Sequence, residues 1–195
     1  MFRLTFRAQI VVGIALAVLI AVTRGHHFET LNHLPTASWA AFFLAGLYLR
    51  PFWALPALLA EVAALDMAAV TWGGVSNFCV SPAYGFLLPA YGALWCAGRW
   101  YAGHHLDTMF TLFPLLASVL IGTTVCELVS SGSFYFLSGR FEHTSMTEFA
   151  GRFMGYFPRS LSSLLFYVGV AGVIHVTCRA RNVYGAFADR FLVSR

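Results

Sequence analysis

The sequence predicts an all-α integral membrane protein, a single domain of six transmembrane helices, and three observations carry that prediction. The chain has 195 residues, of which 59% are hydrophobic and only 10% charged, where a soluble domain carries about 25% charged residues. Its mean hydropathy is +0.73, and apolar runs recur along the whole length with no polar stretch long enough to fold alone. All twelve basic residues are arginine, and most flank hydrophobic segments instead of gathering in a patch. The net charge of +4 therefore reads as membrane topology, not as a nucleic-acid surface.

A spanning helix needs about 20 mostly apolar residues, fewer where neighbouring helices thin the bilayer. Six segments qualify, at 6–23, 36–50, 51–72, 82–101, 107–130 and 159–178. The first follows MFRLTFR, a signal-like charge order, but it runs into TRGHH with no small-residue cleavage site and is read as a retained helix. The second is short and held between Pro35 and Pro51. The fourth opens on SPAYG, with Ser81 as N-cap and Pro82 at the first helical position. Six spans place both termini on one side. That side holds Arg3, Arg7, Arg50, Arg99, Arg179, Arg181, Arg190 and Arg195, against Arg24, Arg140, Arg152 and Arg159 on the other, so the termini are expected in the cytoplasm. Segments 24–35, 73–81 and 131–158 then face outward. The last is long and aromatic and is expected to form a loop that caps the outer face with the other two.

The outer segments hold the unusual chemistry. Cysteines occur at 79, 96, 126 and 178 with no CxxC pair, which removes a dithiol redox site or zinc knuckle. Cys96, Cys126 and Cys178 fall in or beside apolar segments, where a cysteine is usually a small buried hydrophobe. Cys79 lies in WGGVSNFCVSPAYG, just before a helix N-terminus whose dipole favours the thiolate, the form that attacks or binds metal. A small residue packed in a turn is the plain alternative, and the residues alone leave both open. His26, His27 and His33 share the outer face, but no spacing matches a closed metal site, and histidines at the headgroup level explain them equally well. His104, His105 and His175 fall on the inner side, away from Cys79.

Three carboxylates lie within apolar segments: Glu61, Asp66 and Glu127. Such groups are costly in lipid and normally face the bundle interior or a wet cavity. Glu61 and Asp66 are about 140° apart around a helix and form no same-face pair. Asp66 and Glu127, both in outer halves, are the better candidates for lining a cavity. On the first helix Gly13, Ala17 and Ala21 form a row of small side chains that permits close helix approach, within the chain or onto a partner. Phosphate-binding loop, nucleophile-elbow and HExxH patterns are missing, so the chain is not expected to hydrolyse nucleotide itself.

Six helices with cytoplasmic termini, an outer cap and a small-residue row on the first helix resemble the substrate-binding S-component of energy-coupling-factor (ECF) vitamin transporters. Within that group, NFCVSPAYG with Cys79 and Tyr84, and His27 in GHHFET, resemble the BtuM family of cobalamin-uptake proteins. The resemblance implies a protein of the bacterial inner membrane that binds cobalamin on its outer face and takes part in its uptake. Cobalamin brings four equatorial nitrogens of its own, so one protein ligand suffices: Cys79 would be the axial cobalt ligand, with His27 and Tyr84 shaping the site. Thiolate coordination would also promote loss of an upper ligand such as cyanide, given a reductant, which makes Cys79 the one candidate catalytic residue. Loop position adds Asn77, Phe78, Phe134, Tyr135, Arg152, Phe153 and Tyr156 as a surround for the apolar, amide-fringed corrin. Gly13, Ala17 and Ala21 would dock on the membrane subunit of an ECF module carrying two ATPases, unless the chain transports alone. The alternatives are an S-component for another vitamin or a metal ion, a membrane thiol oxidoreductase acting through Cys79, and a structural membrane subunit. A cobalt or nickel carrier would be expected to bring an N-terminal histidine set that MFRLTFR lacks, and an oxidoreductase would want a second outer cysteine.

Overall fold

The structure, a computed structural model, describes residues 4–24, 35–72, 81–105 and 108–193, with side chains described as far as Cys178 except for Met109. Among the described residues six α-helices follow in order: α1 (Phe6–Arg24), α2 (Ser38–Tyr48), α3 (Ala54–Thr71), α4 (Leu87–His104), α5 (Leu112–Leu137) and α6 (Met146–Val193). Short 3-10 turns at Pro82–Phe86 and Met109–Thr111 lead into α4 and α5. No strand occurs among the described residues.

Among the described residues four helices are long and apolar enough to cross a membrane: α1, α3, α5 and the Met146–Cys178 part of α6. Their outward faces are apolar, with Ile14 and Val18 on α1, Phe113 and Ile121 on α5, and Val173 and Ile174 on α6 all exposed. Such faces suit lipid and would be a liability in water. Of the other two, α2 fills the middle, and α4 packs one face on α2 and α5 and leaves Leu88, Cys96 and Trp100 exposed on the other. At 11 residues α2 is only about 16 Å long, and α4 carries Arg99 and His104 in its second half. Helix α2 is apolar all round, the signature of a helix enclosed by others, and Ala40 to Leu47 are all buried.

Glycine sets how closely α2 and α4 approach. A Cβ on Gly46 of α2 would lie 2.0 Å from the carbonyl oxygen of Trp95, and one on Gly98 of α4 would lie 2.0 Å from that of Phe43. The two backbones therefore touch reciprocally, and no residue larger than glycine fits either position. Phe42 and Tyr91 stack beside this crossing with ring centroids 4.5 Å apart. Helix α4 in turn packs on α5, and α6 closes on α5.

Two sequence expectations change. Residues 131–158 are mostly helix, not loop: α5 runs on to Leu137 and α6 begins at Met146. Gly139, with φ of +68°, ends α5 in the left-handed conformation that glycine adopts without strain. Ser145 Oγ then accepts the Glu148 N–H at 3.2 Å, capping α6, and Phe149, Phe153 and Phe157 stack along successive turns. The aromatic residues pack as a helical stripe, and Pro158 lies inside α6. The start of the fourth helix also moves. Ser81 is extended and makes no side-chain cap, Pro82–Phe86 is a 3-10 turn, and α4 proper begins at Leu87. The α-helix thus starts five residues later in the chain than SPAYG implied.

Candidate ligand-binding site

One end of the bundle holds a cavity of about 840 Å³. It is bounded by the C-terminal halves of α1, α3 and α5 and by the N-terminal parts of α2, α4 and α6, as an up-and-down arrangement of six helices requires. Arg24, Ser38 and Trp39, Asp66, Tyr84, Leu87 and Tyr91 line one side. Glu127, Ser130, Ser131, Phe134, Tyr135, Phe141, Phe149, Arg152, Tyr156, Arg159, Ser160 and Ser163 line the other. Apolar and aromatic walls with a few convergent polar groups are the usual make-up of a site for an organic ligand, and the volume lies in the upper part of the range such pockets cover.

On the first side the polar groups form a closed network. Arg24 Nε and Nη2 grip the two oxygens of Asp66 at 2.6 and 2.7 Å, a bidentate geometry that adds direction to charge. Arg24 Nη1 also donates to Ser38 Oγ at 3.0 Å and to the Tyr91 hydroxyl at 3.1 Å. Tyr84 donates its hydroxyl to Asp66 Oδ2 at 2.7 Å. Arginine at the end of α1 thereby supplies the counter-charge that a carboxylate within α3 requires.

Across the cavity, Tyr135 of α5 ties α6 in place. Its hydroxyl accepts the Ser145 N–H at 3.0 Å and donates to Glu148 Oε2 at 2.9 Å. The phenol is thus inserted between the two ends of a Ser-x-x-Glu capping box. Arg152 pairs with the other Glu148 oxygen at 2.8 Å and lies over the Phe141 and Tyr135 rings at 4.8 and 5.4 Å, a cation–π arrangement. Deeper on the same side, Glu127 is buried and accepts hydrogen bonds from Ser131 and Ser160.

Of the residues singled out in the sequence, Tyr84, Tyr135, Arg152 and Tyr156 all line this one cavity, as do Phe134 and both outer-half carboxylates, Asp66 and Glu127. Phe153 stands behind the wall, stacked on Phe157. His26, His27, His33, Asn77, Phe78 and Cys79 lie outside the described residues. Cys126 is fully buried, whereas Cys96 and Cys178 are exposed on the helix surface instead of packed inside. His104 and His105 end α4, at the opposite end of the bundle from the cavity. On α1, Ala21 is exposed, while Gly13 and Ala17 are half-buried against the chain's own helices, Gly13 beside Leu49.

Sequence reasoning missed Arg24 as a site residue, having read it only as a topological anchor; the signal was an intramembrane aspartate that needed a cation. It also missed Ser131 and Ser160, which donate to Glu127 from the same helix and from α6, and Ser130, which lines the cavity beside them. No group of three or more His, Cys, Asp or Glu side chains that could hold a metal ion occurs among the described residues. Neither models of known protein families nor curated proteins give a match to this chain.

Proposed function

We propose that this chain is a cobalamin-binding protein of a bacterial inner membrane, crossing it six times with both termini in the cytoplasm and taking the corrinoid into the outward-facing cavity. In this reading the short α2 crosses enclosed by the other helices, and the more polar α4 crosses with one face on α2 and α5 and the other, with Leu88 and Trp100, toward lipid. The observation that carries it is the convergence of Tyr84, Tyr135, Arg152 and Tyr156 on one cavity of about 840 Å³. Aromatic walls suit the apolar faces of a corrin, and the hydroxyl and guanidinium groups suit its amide fringe.

In this reading Cys79 would supply the axial ligand through its thiolate sulfur, with His27 shaping the site. Connectivity supports this role, because residues on both sides of the segment 73–80 line the cavity, Asp66 before it and Ala83 and Tyr84 after it. A thiolate donates its lone pair to cobalt and weakens the bond opposite, so cyanide leaves as the anion once a reductant lowers the cobalt oxidation state. Ala21 and the adjoining exposed face of α1 form the surface for an ECF module, with Gly13 and Ala17 at its edge.

The test is direct. Protein purified from cells supplied with cobalamin should carry a corrin absorption spectrum, and Cys79→Ala should shift that spectrum. A colourless wild-type protein that takes up no added cobalamin overturns the reading. A corrin spectrum unchanged by Cys79→Ala removes axial ligation and leaves binding in place.

A further inference from the structure

We propose that Glu127 accepts a hydrogen bond from a primary-amide group of the bound ligand, making the seam between α5 and α6 a recognition point separate from axial ligation. The inference rests on the reading of the cavity as a corrinoid site, whose ligand is fringed with such amides.

Glu127 is only 3% exposed, yet it lines the cavity. Ser131 donates to Oε1, and Ser160 donates to Oε2 at 2.9 Å. A carboxylate offers about four acceptor positions, so these hydroxyls leave about half of its capacity open. Among the described residues no arginine or histidine pairs with it, whereas Asp66, the other carboxylate lining the cavity, is held by Arg24 and Tyr84. A buried carboxylate without a cation, in a helix long and apolar enough to span a membrane, is expensive unless a further donor reaches it.

The chemistry of that donor follows from the wall. Arg159 and Arg152 line the same cavity. Arg24 is matched by Asp66 and Arg152 by Glu148, and Arg159 makes no ion pair among the described residues, so the charges of Glu127 and Arg159 already balance and an ammonium would bring an unanswered positive charge into the cavity. A primary amide suits both ends of the seam, because its N–H is taken by Glu127 while its carbonyl finds donors on the α6 side.

The experiment is a thermodynamic cycle on purified protein in detergent, with cyanocobalamin and its monocarboxylates, in each of which one peripheral amide is replaced by an acid. Wild type should bind one of these isomers about tenfold more weakly than cyanocobalamin, since carboxylate would face carboxylate, and Glu127→Gln should close that gap. Cyanocobalamin itself should bind Glu127→Gln several-fold more weakly. Equal binding of every isomer by wild type, or a gap that survives in Glu127→Gln, overturns the inference while the corrinoid reading stands. A wild type that binds no corrinoid overturns both. Should Glu127→Gln fail to fold, Glu127→Asp serves instead: it keeps the charge on a shorter arm, so it should lose affinity for cyanocobalamin yet still reject the same isomer. Unchanged affinity or lost rejection in that variant overturns the inference.

Discussion

Asp66 and Glu127 face the same cavity from opposite walls and have opposite surroundings. Asp66 is gripped by both arms of Arg24 and bonded by Tyr84, whereas among the described residues Glu127 meets two serine hydroxyls and no cation. The difference separates two uses of a carboxylate at a cavity wall. Asp66 joins α1, α3 and the turn before α4 into one rigid wall, with its charge already answered inside the protein. Glu127 joins α5 to α6 only weakly and keeps acceptor capacity for something that enters. The first carboxylate is architecture, and the second is available to a ligand.

The hardest test of that division is to remove the cation. Arg24→Ala leaves Asp66 ionised and unpaired, and the loss of stability should be about 3–5 kcal/mol, read as a large fall in the thermal midpoint in detergent. Arg24→Met combined with Asp66→Leu should recover most of that loss, because the penalty belongs to the orphaned charge. A mild Arg24→Ala phenotype would break the comparison, making both carboxylates equally independent of a partner.

A second substitution sharpens the comparison by acting on both walls at once. Gly98→Ala pushes a methyl into the Phe43 carbonyl and should cost about 1–3 kcal/mol through strain at the α2–α4 crossing. Since α4 carries Tyr91 toward Arg24 and packs on α5, ligand binding should weaken along with the midpoint. An unaltered midpoint would mean that α2 and α4 are free to part.

These two cases also show what was legible in the sequence. Apolar runs locate helices well because membrane insertion is a local matter of composition, and the cost of charge in lipid marked Asp66 and Glu127 as cavity residues before any contact was known. Arg24 was hidden because its partner lies 42 residues away, and an arginine at a helix end has a ready explanation as an anchor. The Gly46–Gly98 crossing was hidden for the same reason: which helices touch is not a local property. The error over residues 131–158 was avoidable. Ser145 and Glu148 are spaced as a capping box, and Phe149, Phe153 and Phe157 recur every four residues, a helical period overlooked because the stretch was judged by its length and aromatic content.

A third prediction isolates the tyrosine on Asp66. Tyr84→Phe removes one hydrogen bond to a charged acceptor and leaves the ring and the Arg24 grip in place. Stability should fall by about 1.5 kcal/mol, the low end for a bond to a charged group, with the cavity intact. If Tyr84 serves mainly as architecture, ligand affinity should change less than the midpoint does. A large affinity loss at an unchanged midpoint would move Tyr84 from the wall to the list of groups that touch the ligand.

The smallest expected effect on stability is at the other carboxylate, and it carries the most weight for the division. Glu127→Gln keeps the shape of the side chain and an oxygen for Ser131 or Ser160, and it removes a buried charge that no described cation answers. The midpoint should stay within about 1 kcal/mol of wild type or rise, because deleting an unpaired buried charge relieves desolvation. Read beside Arg24→Ala, this outcome would show that only one of the two carboxylates holds the fold. A collapse of Glu127→Gln comparable to that of Arg24→Ala would instead make the α5–α6 seam structural, with its acceptor capacity already spent inside the protein.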